Sequence, residues 1–389
     1  MIREEIFNSI TLDGMQGVKG RKWGLAGPGV IPMGLADPDF PTAMEIKKAL
    51  YDAVQDEDVY YADDMKTRTV MAEKLKRRNS IDASPDDVMT TQGVIPGMWL
   101  AIRYACKPGE EVVVTDPMYY PFFEAAETGE AKLVWHRLSQ DEGYRFNPDD
   151  LNEAITPKTK LLFVCNPHNP CGRVLTKEEL RGIAEVAVDR KLIVMADELW
   201  EDVTLDERKH ISLASIGPEI AERTITSFGF SKTYGVAGLQ MGYLVATNKE
   251  MMNKLKKLCS RVFRNPGTSS LSLAAAPVML SDSLKWWRDG LVKHTEKVRD
   301  ITYKRLREIG DISCPKLEGT YLMFPDFSTY GMNSVELRDY LLKEAKVEVS
   351  HGTEFGPSGE GHIRMCIATS EEILNEALDR IEKALKKLR

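Results

Sequence analysis

At 389 residues, the chain is longer than one hydrophobic core usually supports, so we expect two domains. The composition is that of an ordinary globular protein, and the net charge of −7 argues against a general nucleic-acid or membrane-surface binder. No apolar run approaches the ~20 residues that span a bilayer, and the first residues lack the apolar core of a signal peptide. The six cysteines form no CxxC pair and are typical of reduced thiols. We therefore expect a cytoplasmic protein.

The first 45 residues contain the Gly- and Pro-rich stretch GLAGPGVIP and predict an irregular arm. We expect this arm to pack on the C-terminal part of the chain or on a second subunit. Beyond it, amphipathic helical stretches such as EIKKALYDAV and RTVMAEKLKRR alternate with short apolar runs. These runs predict five buried strands: EEVVVTDP (110–117), TKLLFVCNP (159–167), KLIVMADE (191–198), TITSFGFS (224–231) and GYLVATN (242–248).

Helical segments such as PFFEAAETG and TKEELRGIAEVAVDR separate several of these strands. Apolar strands separated by helices predict an α/β fold: a three-layer α/β/α domain with a mostly parallel sheet, which we place at residues 46–280. After it come a long helical stretch, strands in YLMFPDF and HIRMCIAT, and a last amphipathic helix. They predict a smaller α+β domain at residues 281–389, to which the arm, residues 1–45, would also belong.

Three polar residues follow the ends of successive predicted strands. Asn169 lies in the turn NPHNPCG, Asp197 ends the strand LIVMA, and Lys232 follows TITSF. Each alone has an ordinary interpretation, namely a turn residue, a helix cap and a surface lysine. Lys232, however, is the only charge in FGFSKTYGVAGLQMGY (228–243), which indicates a desolvated amine with a lowered pKa. Because parallel strands end at one rim of a sheet, we expect the three side chains to meet there.

A pyridine-aldehyde cofactor would use all three side chains. Lys232 would bond to the aldehyde carbon, Asp197 would keep the ring nitrogen protonated, and Asn169 would donate to the phenolate oxygen. The cofactor's phosphate would need backbone donors at a helix start, which TTQGVIPGMWLAIRYAC offers, with a proline in its first turn. The expected donors are the amides of Gly93, Val94 and Ile95.

These motifs resemble the aminotransferase class I/II family of fold-type-I pyridoxal-phosphate enzymes over roughly residues 30 to 385. SKTYGVAGLQMGY resembles the family's lysine motif, NPHNPCGR its asparagine turn and ADELWEDV its aspartate strand. HIRMCIA resembles the strand whose arginine, here Arg364, binds the substrate's α-carboxylate. LADPDFP resembles the substrate loop, so Gly34 and Ala36 would line the substrate pocket through their backbone, together with Asn169.

The resemblance implies further roles. Tyr119 would stack on the cofactor, and Tyr61 would reach the phosphate of a neighbouring subunit, so that a homodimer shares its active sites. The chain departs from the family at two positions: Trp200 replaces a tyrosine, and Gln240 replaces the phosphate-binding arginine. Ser231 would substitute for a serine that the family carries three residues before the lysine, where this chain has Gly229.

The resemblance points to two reactions. LADPDF, GFSKTYGVAG and MGY are similar to aminotransferases, which move an amino group between an L-amino acid and a 2-oxo acid. Gln240, the non-tyrosine at 200, GVIPG, NPHNPCGR and RKW (21–23) are similar to the cystathionine β-lyase branch, which releases ammonia and a keto acid. We expect an aminotransferase, with the lyase as the alternative.

Two other classes have less support. A non-catalytic regulator with this fold would be expected to lack Lys232, Asp197 or Arg364, and all three are present. A metal enzyme would need clustered ligands, whereas the six histidines are scattered without an HExxH motif. The sequence leaves open which arginine, if any, reads the substrate side chain; the candidates are Arg21, Arg68, Arg261 and Arg264.

Overall fold

The structure is a computed structural model and describes residues 3–263 and 268–388. Over these residues it contains fifteen α-helices, of which α13 is the longest. They are α1 Leu12–Met15, α2 Arg21–Gly24, α3 Met44–Gln55, α4 Met65–Lys74, α5 Ile95–Ala105, α6 Pro121–Thr128, α7 Pro148–Ala154, α8 Lys177–Asp189, α9 Pro218–Ala221, α10 Ser231–Tyr234, α11 Lys249–Phe263, α12 Ser270–Leu280, α13 Lys285–Ile309, α14 Ser334–Tyr340 and α15 Glu371–Leu385.

The described residues also form twelve strands, which are arranged in one large and two small sheets. They are β1 Ile31–Pro32, β2 Val88–Gln92, β3 Glu111–Asp116, β4 Lys132–Arg137, β5 Thr159–Cys165, β6 Ile193–Asp197, β7 Thr224–Gly229, β8 Met241–Val245, β9 Leu322–Met323, β10 Val347–Glu348, β11 Ser350–His351 and β12 Ile363–Cys366. The small sheets pair β1 with β10, and β11 with β12 and β9.

The large sheet has seven strands in the order β2-β8-β7-β6-β5-β3-β4. Strands β3 to β7 are parallel, whereas β8 runs antiparallel to both β7 and β2. Successive β6 residues point to opposite faces: Met195 packs in the core beneath α5 and α6, and Val194 in the core beneath α7 and α8. The predicted mostly parallel α/β sheet, covered on both faces, is therefore confirmed.

The sequence pattern does not predict the two edge strands, β2 and β4. VMTTQ is polar, and KLVWHR has charged, exposed residues at both ends, so neither is a continuous apolar run. An edge strand pairs on one side only and therefore tolerates such polar residues. The predicted strand TKLLFVCNP also extends too far, because β5 ends at Cys165 and the following Pro167 has no N–H for the ladder.

The N-terminal arm packs on the C-terminal part of the chain. Ile31 and Pro32 of β1 pair in parallel with Val347 and Glu348 of β10, and Cys366 of β12 donates its N–H to the carbonyl of Met33. This arrangement brings the loop after β1 next to the end of β12. Within the described residues, no helix combines the length and the apolar character needed to cross a membrane.

Candidate active site

A cavity of about 210 Å³ opens where the parallel strands β5, β6 and β7 end. Asn169 follows β5, Asp197 is the last residue of β6, and Lys232 lies in α10 just after β7. All three side chains line this cavity, as expected from the shared rim of parallel strands. The other lining residues are Ala36, Gln92, Gly93, Val94, Ile95, Tyr119, Leu199, Trp200, Ser231, Ala237, Gln240 and Met241.

Asp197 is a buried carboxylate at the floor of the cavity. Its Oδ1 accepts a hydrogen bond of 3.1 Å from the N–H of Leu199, in the turn that follows β6. Burial raises the pKa of Asp197 to about 6, although the Leu199 N–H and the Lys232 amine oppose that rise. Ionisation of Asp197 at neutral pH therefore destabilises the folded protein, and a cationic ring nitrogen beside the carboxylate would offset that loss of stability.

We expect the Asp197→Asn variant of the cofactor-free protein to be more stable than the wild type by about 2–3 kcal/mol at pH 8. The folded-state pKa lies above the unfolded value, so the folded state binds the extra proton between about pH 4 and pH 6. The free energy of unfolding of the wild type consequently falls as the pH rises through that window. The asparagine variant has no carboxyl group to ionise at this position and does not lose this stability. Urea unfolding at pH 5 and pH 8 measures this difference, which should be smaller at pH 5.

The matched control for this prediction is Asp58→Asn, because Asp58 is an exposed loop carboxylate. Its free energy of unfolding should differ from that of the wild type by the same small amount at both pH values. An Asp197→Asn protein with no stability advantage at pH 8 would contradict the cost that we assign to the buried charge.

The Lys232 amine is held at the opposite side of the cavity by a backbone carbonyl. Its Nζ donates a hydrogen bond of 2.6 Å to the oxygen of Ala36, and lies 5.9 Å from the centre of the Trp200 ring. Burial lowers the pKa of Lys232, partly against the attraction of Asp37. Because its pKa is lowered, a larger fraction of the amine is unprotonated near neutral pH and available as a nucleophile or general base.

Arg364 in β12 lies beside this cavity with its guanidinium buried. Nη2 donates to the carbonyl of Gly34 at 2.7 Å, Nη1 donates to Oδ1 of Asn169 at 3.3 Å, and the Phe355 ring lies 4.5 Å below. Its Nε is buried and has no partner among the described residues. The bond to Oδ1 orients the Asn169 amide, so that its nitrogen is left to donate into the cavity.

The start of α5 forms one end of the cavity. Gly93 has a φ of 82°, and β8 passes so close that a Cβ on Gly242 would lie 2.7 Å from the Gly93 oxygen. The N–H groups of the first helical turn, around Val94 and Ile95, have no acceptor within the helix, and the next residue is Pro96. This end therefore offers the N–H groups of Val94 and Ile95 to an anion such as a phosphate, whereas the N–H of Gly93, predicted as a third donor, is donated to the Thr91 carbonyl at 2.9 Å.

Of four more residues that were predicted to bind the cofactor, three line the cavity and one lies outside it. The Tyr119 ring lines the cavity wall, and burial raises the pKa of its hydroxyl. Trp200 is fully buried and packs edge-on against Tyr321 at 4.6 Å. Gln240 lines the cavity, whereas Tyr61 is 94% exposed and lines a different surface depression.

Sequence reasoning missed several residues of the site. Gln92, Leu199, Ala237 and Met241 line the cavity and flank the predicted motifs, so adjacency alone would have suggested them. Asp37, in the quoted LADPDFP, is a half-buried carboxylate whose Oδ1 has no hydrogen-bond partner among the described residues. Burial raises its pKa, while Lys232 pulls it down.

The side chains fit a phosphorylated pyridine aldehyde. An amine, a buried carboxylate and an amide donor line one cavity, a helix start with free N–H groups closes one end, and a guanidinium with an unpaired Nε lies at its side. Each chemical feature of the cofactor and of a carboxylate substrate thus has a complementary group. The roles of the individual residues stay predictions.

Comparisons with known proteins agree with this chemistry. A family model described as aminotransferase class I and II matches residues 28–381. The chain is 34% identical over 363 residues to aromatic-amino-acid aminotransferase 2 of Thermococcus litoralis, with 92% of each chain covered. It is 31% identical over 362 residues to cystathionine beta-lyase PatB of Bacillus subtilis, covering 91% of this chain and 92% of that one. The crystal structure of cystalysin from Treponema denticola, which contains pyridoxal 5'-phosphate, is similar with a TM-score of 0.91 and 28% identity, covering 96% and 97% of the two chains.

Proposed function

The chain belongs to the aminotransferase class I and II family, and on that premise we propose that it is a pyridoxal-phosphate-dependent aminotransferase. It moves an amino group between an L-amino acid and a 2-oxo acid. The observation that carries the proposal is the single cavity shared by Lys232, Asp197 and Asn169, with Arg364 beside it. These four groups are the ones that amino transfer requires.

When bound, pyridoxal 5'-phosphate supplies an aldehyde that bonds to an amine and a protonated ring that takes up electrons. Lys232 holds the cofactor and, once displaced by the substrate's amine, is the base that takes the proton from the substrate's Cα. Its pKa, lowered by burial, suits both tasks. Asp197 holds the proton on the ring nitrogen from the floor of the cavity, and Asn169 donates to the ring oxygen.

Arg364 orients the substrate. A guanidinium binds a carboxylate through two parallel hydrogen bonds, and the Nε of Arg364 is the buried donor that still lacks an acceptor. The Gly34 carbonyl and the Asn169 side chain hold the guanidinium in place, so it need not reorganise when the α-carboxylate arrives.

A carbon–sulfur β-lyase is the alternative, and two specific features favour it. Trp200 and Gln240 depart from the aminotransferase pattern and both line the cavity. PatB, a cystathionine beta-lyase, is also among the relatives at 31% identity. Both reactions begin with removal of the Cα proton by Lys232, and they differ in whether a thiolate then leaves from Cβ.

A two-substrate assay separates the two reactions. Amino transfer from an L-amino acid to 2-oxoglutarate supports the aminotransferase, whereas stoichiometric pyruvate and ammonia from cystathionine support the lyase. Both activities are followed in one preparation with its cofactor content measured. The proposal fails if cystathionine is cleaved rapidly while no amino donor yields glutamate.

We expect the Gln240→Arg variant to bind pyridoxal 5'-phosphate about tenfold more tightly than the wild type. Gln240 lines the cavity together with Gly93, Val94 and Ile95, and an arginine in its place would add a charge-assisted hydrogen bond to the phosphate. Dissociation constants come from equilibrium titration of the cofactor-free protein. Gln240→Met is the matched control and should bind the cofactor more weakly; equal affinity in all three proteins would remove Gln240 from the phosphate site.

A homodimer with shared sites is the expected assembly. Apolar residues are exposed along α3 and the loop after it, where a second subunit would cover them: Met44, Tyr51, Val54, Val59, Tyr60 and Tyr61. Tyr61 does not line the active-site cavity of its own chain but a separate surface depression, which supports donation to a partner's phosphate site. Sedimentation velocity tests the assembly, and a monomer at micromolar concentration would contradict it.

The cytoplasmic location stays a prediction. It is supported by six cysteines that are all free, five of them buried, as is usual for proteins kept in a reducing compartment. Cell fractionation tests it, and recovery of the protein outside the cytoplasmic fraction would contradict it.

A further inference from the structure

A second, larger cavity of about 600 Å³ adjoins the candidate active site. The loop that contains Gly34 and Ala36 contributes to both cavities, since Ala36 lines the first and Gly34 the second, and Arg364 also lines the second. A substrate whose α-carboxylate is bound by Arg364 therefore has this cavity available for its side chain. The N-terminal arm also lines this cavity, through Arg21, Lys22 and Leu25.

Two buried side chains hold the arm helix α2 in place against the substrate loop. Lys22 forms an ion pair of 3.0 Å with Asp39 and donates a hydrogen bond of 2.8 Å to the carbonyl of Asp37. The indole nitrogen of Trp23 donates to the same Asp39 carboxylate at 2.7 Å. Arg21, the residue just before these two anchors, is consequently held at the cavity wall although its own side chain is exposed.

The charges in the second cavity leave two guanidiniums without a carboxylate partner. Within the part of the chain that the structure describes, neither Arg21 nor Arg364 forms an ion pair, whereas Arg338 is paired with Asp339 at 2.8 Å. Among the acidic residues of the cavity, Glu354 lies 3.3 Å from His351, and Glu348 is exposed on β10. Arg21 and Arg364 therefore line one cavity, and neither forms an ion pair with another residue that the structure describes.

The other arginines that the sequence suggested for side-chain recognition lie elsewhere. Arg68 is tied to Asp64 at 2.8 Å and to the carbonyl of Pro85 at 2.9 Å. Arg261 is exposed near the end of α11, and Arg264 lies outside the described residues. Arg21 is therefore the candidate that shares a cavity with Arg364.

We propose that Arg21 is a specificity-determining residue that binds the distal carboxylate of a dicarboxylic amino acid or 2-oxo acid. The inference rests on the proposed function, because it assumes that Arg364 binds the α-carboxylate. Two guanidiniums that line one cavity offer a binding group for each carboxylate of a short diacid, and a guanidinium can bind a carboxylate through two parallel hydrogen bonds. A monocarboxylic substrate would leave Arg21 solvated and would gain nothing from it.

The test compares matched substrates in the holoenzyme. The rate constant kcat/KM is measured for the donor half-reaction with L-aspartate and with L-2-aminobutyrate, which has the same carbon chain and lacks the second carboxylate. Binding of succinate and of butyrate is measured by calorimetry. In Arg21→Gln we expect an about 10- to 100-fold loss with aspartate and with succinate, and a change below about twofold with the monocarboxylates. Arg21→Lys should recover part of the loss.

Arg338→Gln is the matched control, because Arg338 lines the same cavity and is already paired. It should discriminate between the substrates as the wild type does. Unchanged aspartate and succinate parameters in Arg21→Gln, or a loss that follows Arg338 instead, would overturn the inference. A wild type that transfers no amino group from any donor would contradict the proposed function, while succinate binding would still test Arg21.

Discussion

Replacing Lys232 with alanine is expected to lower kcat for amino transfer by at least about 1,000-fold while the protein still binds pyridoxal 5'-phosphate non-covalently. Among the residues that the structure describes, Lys232 is the only one with an amine side chain that lines the cavity, and its Nζ is held there by the Ala36 carbonyl at 2.6 Å. The substitution removes both the covalent attachment of the cofactor and the base for the Cα proton, and general acid–base catalysis alone contributes about 10²–10⁴-fold. The phosphate end of the cavity is unaffected, so the cofactor keeps its backbone donors.

Two measurements check this prediction. Steady-state rates compare the variant with the wild type and with Lys254→Ala, a control in which an exposed lysine is removed. Borohydride reduction followed by peptide mass spectrometry should place the cofactor's mass on the peptide that contains Lys232 in the wild type and on no peptide in the variant. Wild-type rates in Lys232→Ala would exclude this lysine from the mechanism.

Replacing Arg364 with glutamine is expected to lower kcat/KM for amino-acid donors by about 100-fold or more. The guanidinium is buried, so its hydrogen bonds to a carboxylate are not weakened by water. Burial lowers the pKa of Arg364, but a guanidinium stays charged at any pH at which the protein is folded. The loss should fall mainly on KM, because the group binds the substrate and takes no proton.

The control separates carboxylate binding from damage to the fold. Amines that lack the α-carboxylate should react equally poorly with wild type and Arg364→Gln, and the cofactor content of the two proteins should be the same. Arg364→Lys keeps the charge but loses the planar fork, so we expect it to stay well below the wild type. A variant that retains its discrimination between amino acids and the corresponding amines would show that another group binds the α-carboxylate.

The fold was predictable where the sequence pattern is local. Strands β3, β5 and β6 are largely apolar runs, and β7 is a buried run of β-branched, aromatic and hydroxyl residues; strands of this kind between amphipathic helices predict a parallel sheet with both faces covered. The direction of β8 was not predictable, because GYLVATN is as apolar as its parallel neighbours. Its antiparallel pairing follows from the short connection after β7, which leaves too few residues for a crossover helix of full length. The division at residues 45 and 280 into domains stays a prediction.

The candidate site was predictable for the residues at the strand ends. Asn169, Asp197 and Lys232 were expected to meet because parallel strands end at one rim, and the structure places all three in one cavity. Leu199 and Gln92 were not expected, since neither has a side chain that identifies it as functional. Asp37 was missed for a different reason: its burial depends on packing against parts of the chain that are distant in sequence.

The sequence by itself determined the kind of chemistry. The isolated lysine, the aspartate at a strand end and the glycine before a helix can each be recognised from the few residues around them. Only the tertiary structure decided which distant groups act on them. The Ala36 carbonyl reaches Lys232 across 196 residues, and Asn169 meets Arg364 across 195. The choice of Arg21 over other arginines has the same origin, since hydrogen bonds and ion pairs depend on distances of a few ångströms that no local pattern of residues specifies.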